Sequence, residues 1–355
     1  MAMNQIPDRW RGVSCAIGAA ALFGVTTPFA KRLLPRIDPW LLAGLLYLGS
    51  GVGLSLFQFA RKRYARNRPA PLSRSDMPWL AAAIACGGLV GPVLLLFGLR
   101  LTPASAASLL LNLEGVLTAL LAWFVFRENF DSRIALGMAL ISAGALMLSW
   151  TGRPEVGAPW GALLISLACL AWAADNNFTR KISGADPVRI AALKGLCAGG
   201  MNAVLALAFG SRLPAIEPAI GAAILGLLGY GVSLALFVLA LRYLGTARTG
   251  AYFSTAPFVG AAVSITWLEE PLTKGFMAAA FLMGLGVWLH LTEHHEHVHR
   301  HEPVEHNHSH FHEEHHQHNH ARHDPETEPH AHGHRHDPVI HKHPHYPDLH
   351  HRHDS

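Results

Sequence analysis

Eight histidines fall within the fifteen residues 306–320, HNHSHFHEEHHQHNH, and all 25 histidines of the chain lie at or after His290. Neutral imidazoles at i, i+2 spacing, as in His306, His308 and His310, suit Zn, Ni, Co or Cu. His312, His315, His316, His318 and His320 offer many further registers of the same kind. This is metal-binding chemistry without one defined site. A literal HExxH occurs at His312, Glu313 and His316, but a zinc peptidase carries that motif on an ordered helix with both histidines on one face. In a histidine-saturated run with no apolar face, chance accounts for it. Before His290 there is no histidine at all, so the rest of the chain must work with other groups. Three stand out as charges in apolar surroundings: Glu114, Asp175 and Lys194. No Ser/His/Asp set, P-loop or dinucleotide fingerprint is present, so neither enzyme activity nor a required cofactor is expected.

The elements that must position those charges are long apolar segments. A whole-chain content of 51% hydrophobic residues averages a very apolar body with a very polar tail, and the two need separate readings. From Gly12 to Leu291 the sequence is mostly Ala, Leu, Gly, Val and Phe in runs of about twenty residues, the length that crosses a bilayer core at about 1.5 Å per residue. Ten such runs occur, near 12–30, 39–59, 78–99, 103–126, 133–151, 159–178, 187–209, 218–241, 246–268 and 273–292. Stretches such as GALLISLACLAWA (161–173) have almost no polar face, which argues against a soluble helical bundle. The first run is too long for a signal peptide and is followed by Lys31 and Arg32 rather than a cleavage site. Cys15, Cys86, Cys169 and Cys197 all fall inside runs, far from any CxxC spacing, and read as small core residues.

Basic residues set the expected orientation. Arg61, Lys62, Arg63, Arg66, Arg68 and Arg74 crowd the loop between runs two and three against one acid, Asp76, which marks that loop as cytoplasmic. With ten spans both termini then lie in the cytoplasm of a plasma (inner) membrane protein. Lys31, Arg32 and Arg36 dissent from this assignment. The net charge of +4 is explained by topology and gives no reason to expect nucleic acid.

The body repeats itself. PFAKRLLPRIDPWLLAG (28–44) echoes NFTRKISGADPVRIAAL (177–193), matching Phe29 with Phe178, Lys31 with Arg180, and Asp38-Pro39 with Asp186-Pro187. Further on, Arg100 matches Arg242 and Glu128 matches Glu270 at an offset of 142. Each unit holds five spans. An odd number of crossings inverts the second unit, which gives a pseudo-two-fold axis in the membrane plane and places the substrate site of a secondary transporter near mid-membrane between the halves. The units are 12–151 and 159–292, followed by a tail at 293–355.

Ten spans in two halves, LEGVLTALLAWFVFREN (113–129) and APFVGAAVSITWLEEPL (256–272) together resemble the EamA type of the drug/metabolite transporter superfamily. The resemblance covers about residues 12 to 292 and none of the tail. Relatives usually read Glu-Pro in the fourth span, where this chain has Glu114-Gly115; here the proline is Pro257, in the ninth. The resemblance implies an all-α integral membrane fold that exports or exchanges amino acids and other small metabolites by alternating access.

Charges deep in a span cost a few kcal/mol on insertion scales, so each needs a partner or an aqueous cavity. Spans six and seven are antiparallel and joined by a short loop, and Asp175 and Lys194 sit at similar depth, so they can meet. The pair either tolerates its own burial or binds a zwitterionic or charged substrate, with Asn176 and Asn177 beside it lining the cavity or capping the helix end. Glu114 lies near mid-span and has Ala256 as its repeat counterpart, so it has no symmetric structural duty. It is either a desolvated, protonated carboxyl or a substrate or proton-coupling group. Asn112, on a stripe with Ser105, Ser108, Gly115 and Ala119, reads as helix packing. In the ninth span Pro257 should kink the helix beside Tyr252, Ser254 and Thr255, and interrupted spans are where transporter sites tend to be. Trp172 and Tyr230 are candidate aromatic walls.

The tail, rich in His, Glu, Asp, Pro and Asn, cannot bury apolar area and is expected to be disordered without a ligand. The reading of the whole is a transporter of small organic solutes in a lipid bilayer, with a tail that binds divalent metal. Its rival is a divalent metal transporter or a metal-sensing membrane protein.

Overall fold

A computed structural model of the chain describes residues 8–62, 72–126, 132–149, 158–182 and 186–292, together with the short tail stretches 296–300, 305–310, 330–335 and 340–344. The body, through Glu293, and the tail, from His294, form separate compact units.

Fourteen helices make up the described body. In the first half these are α1 (Asp8–Gly24), α2 (Thr26–Leu33), α3 (Pro39–Lys62), α4 (Met77–Ala83), α5 (Gly91–Leu101), α6 (Ala104–Leu110), α7 (Leu113–Phe126) and α8 (Ser132–Ser149). The second half has α9 (Ala158–Lys181), α10 (Pro187–Ala208), α11 (Ile216–Gly226), α12 (Ser233–Phe253), α13 (Ala256–Trp267) and α14 (Lys274–Leu291). Wider, π-helical turns join α4 to α5 over Ile84–Val90 and α11 to α12 over Leu227–Val232.

Six of the ten expected spans are helical segments long and apolar enough to cross a membrane among the described residues. Three others appear as shorter apolar helices, Ala135–Ser149, Ala256–Trp267 and Lys274–Leu289. The remaining one is α9, whose C-terminal end carries DNNFTRK. The outward faces are apolar, with Leu146 at 70% and Phe281 at 71% exposure. Lipid covers such a surface at no cost, whereas water does not.

One expected boundary is absent. The sequence reading ends the eighth span near 241 and starts the ninth near 246, yet α12 runs without a break from Ser233 to Phe253. In the first half the equivalent point does break: Thr102 is extended (φ −126°, ψ 141°) before Pro103. Proline disfavours helical geometry in the residue before it, and the second half has Gly245 at the position matched to Pro103. The helix therefore continues to Ser254–Thr255, just ahead of Pro257, where α13 begins. The fourth span breaks at the matching place, between α6 and α7 at Leu111–Asn112, although it has Gly115 where the ninth has Pro257.

The packing obeys an inverted repeat. The α1–α12 contact has its counterpart in α9–α5, while α3–α10 and α8–α14 map onto themselves. The α3–α10 seam is a small-residue crossing, in which a Cβ on Gly51 would meet the backbone of Gly195 and Leu196, and one on Gly199 would meet Leu48. Close backbone approach of this kind drives helix association where no hydrophobic effect operates.

Four short stretches of the tail are strands. β1 (Glu296–Arg300) pairs with β4 (Ile340–Pro344), and β2 (Glu305–His310) with β3 (His330–Arg335), both antiparallel. Of the histidines singled out in the sequence, His306, His308 and His310 lie in β2. His312, His315, His316, His318 and His320 lie outside the described residues.

Candidate functional site

The site grows from one face of α9. At helical spacing Trp172, Asp175, Asn176 and Thr179 lie on neighbouring rows, and each is engaged by a different partner. Lys194 of α10 donates to both oxygens of Asp175, at 2.5 Å and 2.6 Å. The Thr179 hydroxyl donates to Asp175 Oδ1 at 2.9 Å, and Lys194 also reaches Thr179 at 3.4 Å. The meeting of Asp175 and Lys194 expected from matched depth is realised, as a closed pair with both groups largely buried.

The Asp175 carboxylate occupies the space that a Cβ on Gly87 would need. Gly87 lies in the first π-helical turn, where widening the helix frees backbone carbonyls from the usual ladder. Side chains from three helices take them up: Tyr47 Oη (2.7 Å) and Trp172 Nε1 (2.9 Å) donate to the Gly87 carbonyl, and Asn202 Nδ2 (2.8 Å) donates to that of Gly88. In a medium without water these donors are what permits the irregular turn.

Glu114 stands next to this assembly. The break at Leu111–Asn112 puts it in the first turn of α7, where the helix dipole favours a carboxylate. Asn176 Nδ2 donates to Glu114 Oε1 at 2.9 Å and to Thr118 Oγ1 at 3.3 Å. Asn176 is exposed despite lying within α9, and beside Glu114 a Cβ on Gly115 would meet nothing within 4 Å. The carboxylate thus borders unfilled space. That also removes Gly115 from the packing stripe expected along α6 and α7; Ser108 does pack, against Gly260 of α13.

Aromatic rings continue the wall. Phe253, Phe23, Tyr230 and Tyr47 follow one another with centroid separations of 5.4, 5.9 and 5.4 Å.

The remaining sequence candidates are dispersed. Asn177 is buried and donates to its own helix at Ala173 O (2.9 Å). Tyr252 and Ser254 are half-buried at the α12–α13 break, the second-half equivalent of positions 110 and 112. Sequence reasoning missed Tyr47, Gly87 and Asn202. The signal available for Gly87 was a glycine 142 residues before Gly229, each inside an apolar span.

One end of the body is tied across the two halves. Lys31 Nζ caps the α5 C-terminus, donating to Leu99 O (2.5 Å) and Thr102 O (2.9 Å). Glu270 accepts from Ala104 N (2.6 Å) and Ser105 N (2.8 Å) at the start of α6. Arg32 lies over the Trp267 ring, which stacks on Phe29, and Arg36 pairs with Glu217. The three basic residues that dissented from the charge pattern thus all have local partners. Glu128, the repeat counterpart of Glu270, lies outside the described residues.

A profile for the EamA-like transporter family matches residues 10–150 and again 159–292, so the two halves are two copies of one unit. The chain belongs to the EamA-like transporter family. It is 27% identical over 293 residues to an uncharacterized transporter of Methanothermobacter thermautotrophicus, covering 77% of this chain and 84% of the relative. It is 25% identical over 270 residues to the inner membrane transporter YedA of Escherichia coli K12, covering 73% and 84%. A solved crystal structure shares the fold with a TM-score of 0.58 at 18% identity, covering 79% of this chain and 94% of that one. As an EamA-type protein the chain is an integral membrane transporter rather than an enzyme, and the α7–α9 contact lies where its two copies face each other.

Proposed function

We propose that the body carries a small organic solute by alternating access between its two five-span halves, as exporter or exchanger, with Glu114 and Asn176 meeting the solute. The supporting observation is a carboxylate held by one neutral amide, bordering unfilled space at Gly115, between helices of opposite repeats. The Asp175–Lys194 pair serves the wall of this site rather than the solute, because both carboxylate oxygens are already taken. Tyr252 and Ser254 act at the second-half interruption, where a helix break can flex as the halves rock.

In this reading the tail binds Zn, Ni, Co or Cu at the cytoplasmic side and regulates or buffers rather than transports. Antiparallel register pairs His306, His308 and His310 with His334, His332 and His330 across the β2–β3 ribbon. The body offers a metal little: its four cysteines are scattered, and among the described residues no three His, Cys, Asp or Glu gather as a ligand set. The test is proteoliposome transport of a metabolite panel by the full chain and by a chain ending at Thr292. Organic-solute flux that survives truncation is expected. Loss of all flux on truncation, or flux of Zn or Ni alone, overturns the reading.

A further inference from the structure

We propose that the solute recognised at Glu114 is an organic cation with an aromatic or apolar body, in preference to a zwitterion or an anion; this rests on the organic-solute reading above. Among the described residues, the charges of the site are two carboxylates and one ammonium. The ammonium of Lys194 is fully committed, with both Asp175 oxygens at 2.5–2.6 Å and Thr179 at 3.4 Å. That pair is neutral as a unit and presents no free cation to a solute carboxylate. Among the described residues, Glu114 has no salt-bridge partner of its own; the Asn176 amide and the positive, N-terminal end of the α7 dipole stand against it.

An amino acid bound here would place its ammonium well and its carboxylate nowhere, leaving a buried anion unpaired. A solute with a positive group alone completes the set. The ring sequence Phe253–Phe23–Tyr230–Tyr47, which reaches the Gly87 carbonyl beside Asp175 through Tyr47 Oη, adds to this preference. Aromatic faces carry negative potential and hold ammonium and quaternary ammonium groups more strongly once water is excluded. The carbonyls of Gly87 and Gly88 already accept from Tyr47, Trp172 and Asn202, so recognition falls to the carboxylate and the rings. A divalent metal is disfavoured by the same geometry, which supplies one free carboxylate and a fixed ammonium nearby.

The experiment uses full-length protein in proteoliposomes and three solutes that share a phenylethyl body: phenethyltrimethylammonium, phenylalanine and 3-phenylpropionate. The first is permanently charged and cannot leak through the bilayer as a neutral base. Binding and uptake of phenethyltrimethylammonium are expected to exceed those of the other two by about ten-fold or more, in keeping with a desolvated cation–carboxylate and cation–π contact. Glu114→Gln should erase that preference and Glu114→Asp should keep it, with both variants eluting as folded protein. Preference for phenylalanine or 3-phenylpropionate, or a preference for the cation that survives Glu114→Gln, overturns the inference while leaving organic-solute transport standing. Failure of all three solutes and of the metabolite panel overturns both.

Discussion

The two π-helical turns use one backbone device and fill it differently. Each sits 142 residues from the other inside spans three and eight, and each contains a glycine whose missing Cβ leaves room for a side chain of the facing helix. At Gly87 that side chain is Asp175; at Gly229 it is Thr26, which is the repeat counterpart of Asp175 by the Phe29–Phe178 alignment. Lys194 has Leu46 as its counterpart by the Asp38-Pro39 alignment. The second half therefore supplies a locked charge pair, and the first half, at the equivalent places, a hydroxyl and a leucine. Inverted symmetry sets where the backbone widens, and departures from it set what the site recognises.

The largest expected effect breaks the charged side of this comparison. Lys194→Ala leaves the Asp175 carboxylate buried and unpaired and should cost about 3–5 kcal/mol of stability in thermal or denaturant unfolding. Adding Asp175→Asn should recover most of that loss. Strictly additive effects would show that the two do not act as a pair.

Glycine substitutions sharpen the comparison. Gly87→Ala and Gly229→Ala each insert a methyl where Asp175 or Thr26 already lies, which should cost about 1–3 kcal/mol by overpacking. The atom in the way at Gly229 is the Thr26 methyl, so Thr26→Ser should rescue Gly229→Ala. Asp175→Asn keeps every heavy atom in place and should not rescue Gly87→Ala. Equal rescue at both sites in unfolding midpoints would contradict the packing described.

A smaller effect is expected at the tied end. Glu270→Gln weakens two charge-assisted bonds to backbone amides at the start of α6 and should cost about 1 kcal/mol, measured by the same unfolding. The neighbouring Glu269 is held at φ 55°, an unusual backbone for a non-glycine residue, and helps aim the carboxylate. Glu269→Gly should therefore be tolerated where most glycine substitutions are not.

Much of this was readable from the sequence because hydropathy and depth are additive along a helix. Ten apolar runs, an inverted repeat and the meeting of Asp175 with Lys194 all follow from counting residues. The contact between Glu114 and Asn176 does not, since it depends on how α7 crosses α9, and counting had grouped Asn176 with Asp175 instead. The π-helical turns were invisible because widening depends on donors from α3, α9 and α10 that no local pattern announces. The unbroken α12 was missed because a basic, glycine-containing stretch at 241–248 reads as a loop until it is compared with the Pro103 of the first half. The register of the tail strands rests on pairing between residues 20 to 48 positions apart, which a low-complexity sequence leaves degenerate.

The central claim is that Asp175–Lys194 holds the site while Glu114 meets the solute. Its most direct test is flux of the best-carried solute of the panel, normalised to folded protein, in Glu114→Gln beside the Asp175→Asn/Lys194→Met double variant. The account predicts that Glu114→Gln keeps its unfolding midpoint and loses about ten-fold or more in flux, as expected for a charge-assisted contact of about 1.5–3 kcal/mol. The double variant should lose stability and retain more of its flux. Full flux through Glu114→Gln, with transport abolished in a well-folded double variant, would contradict it.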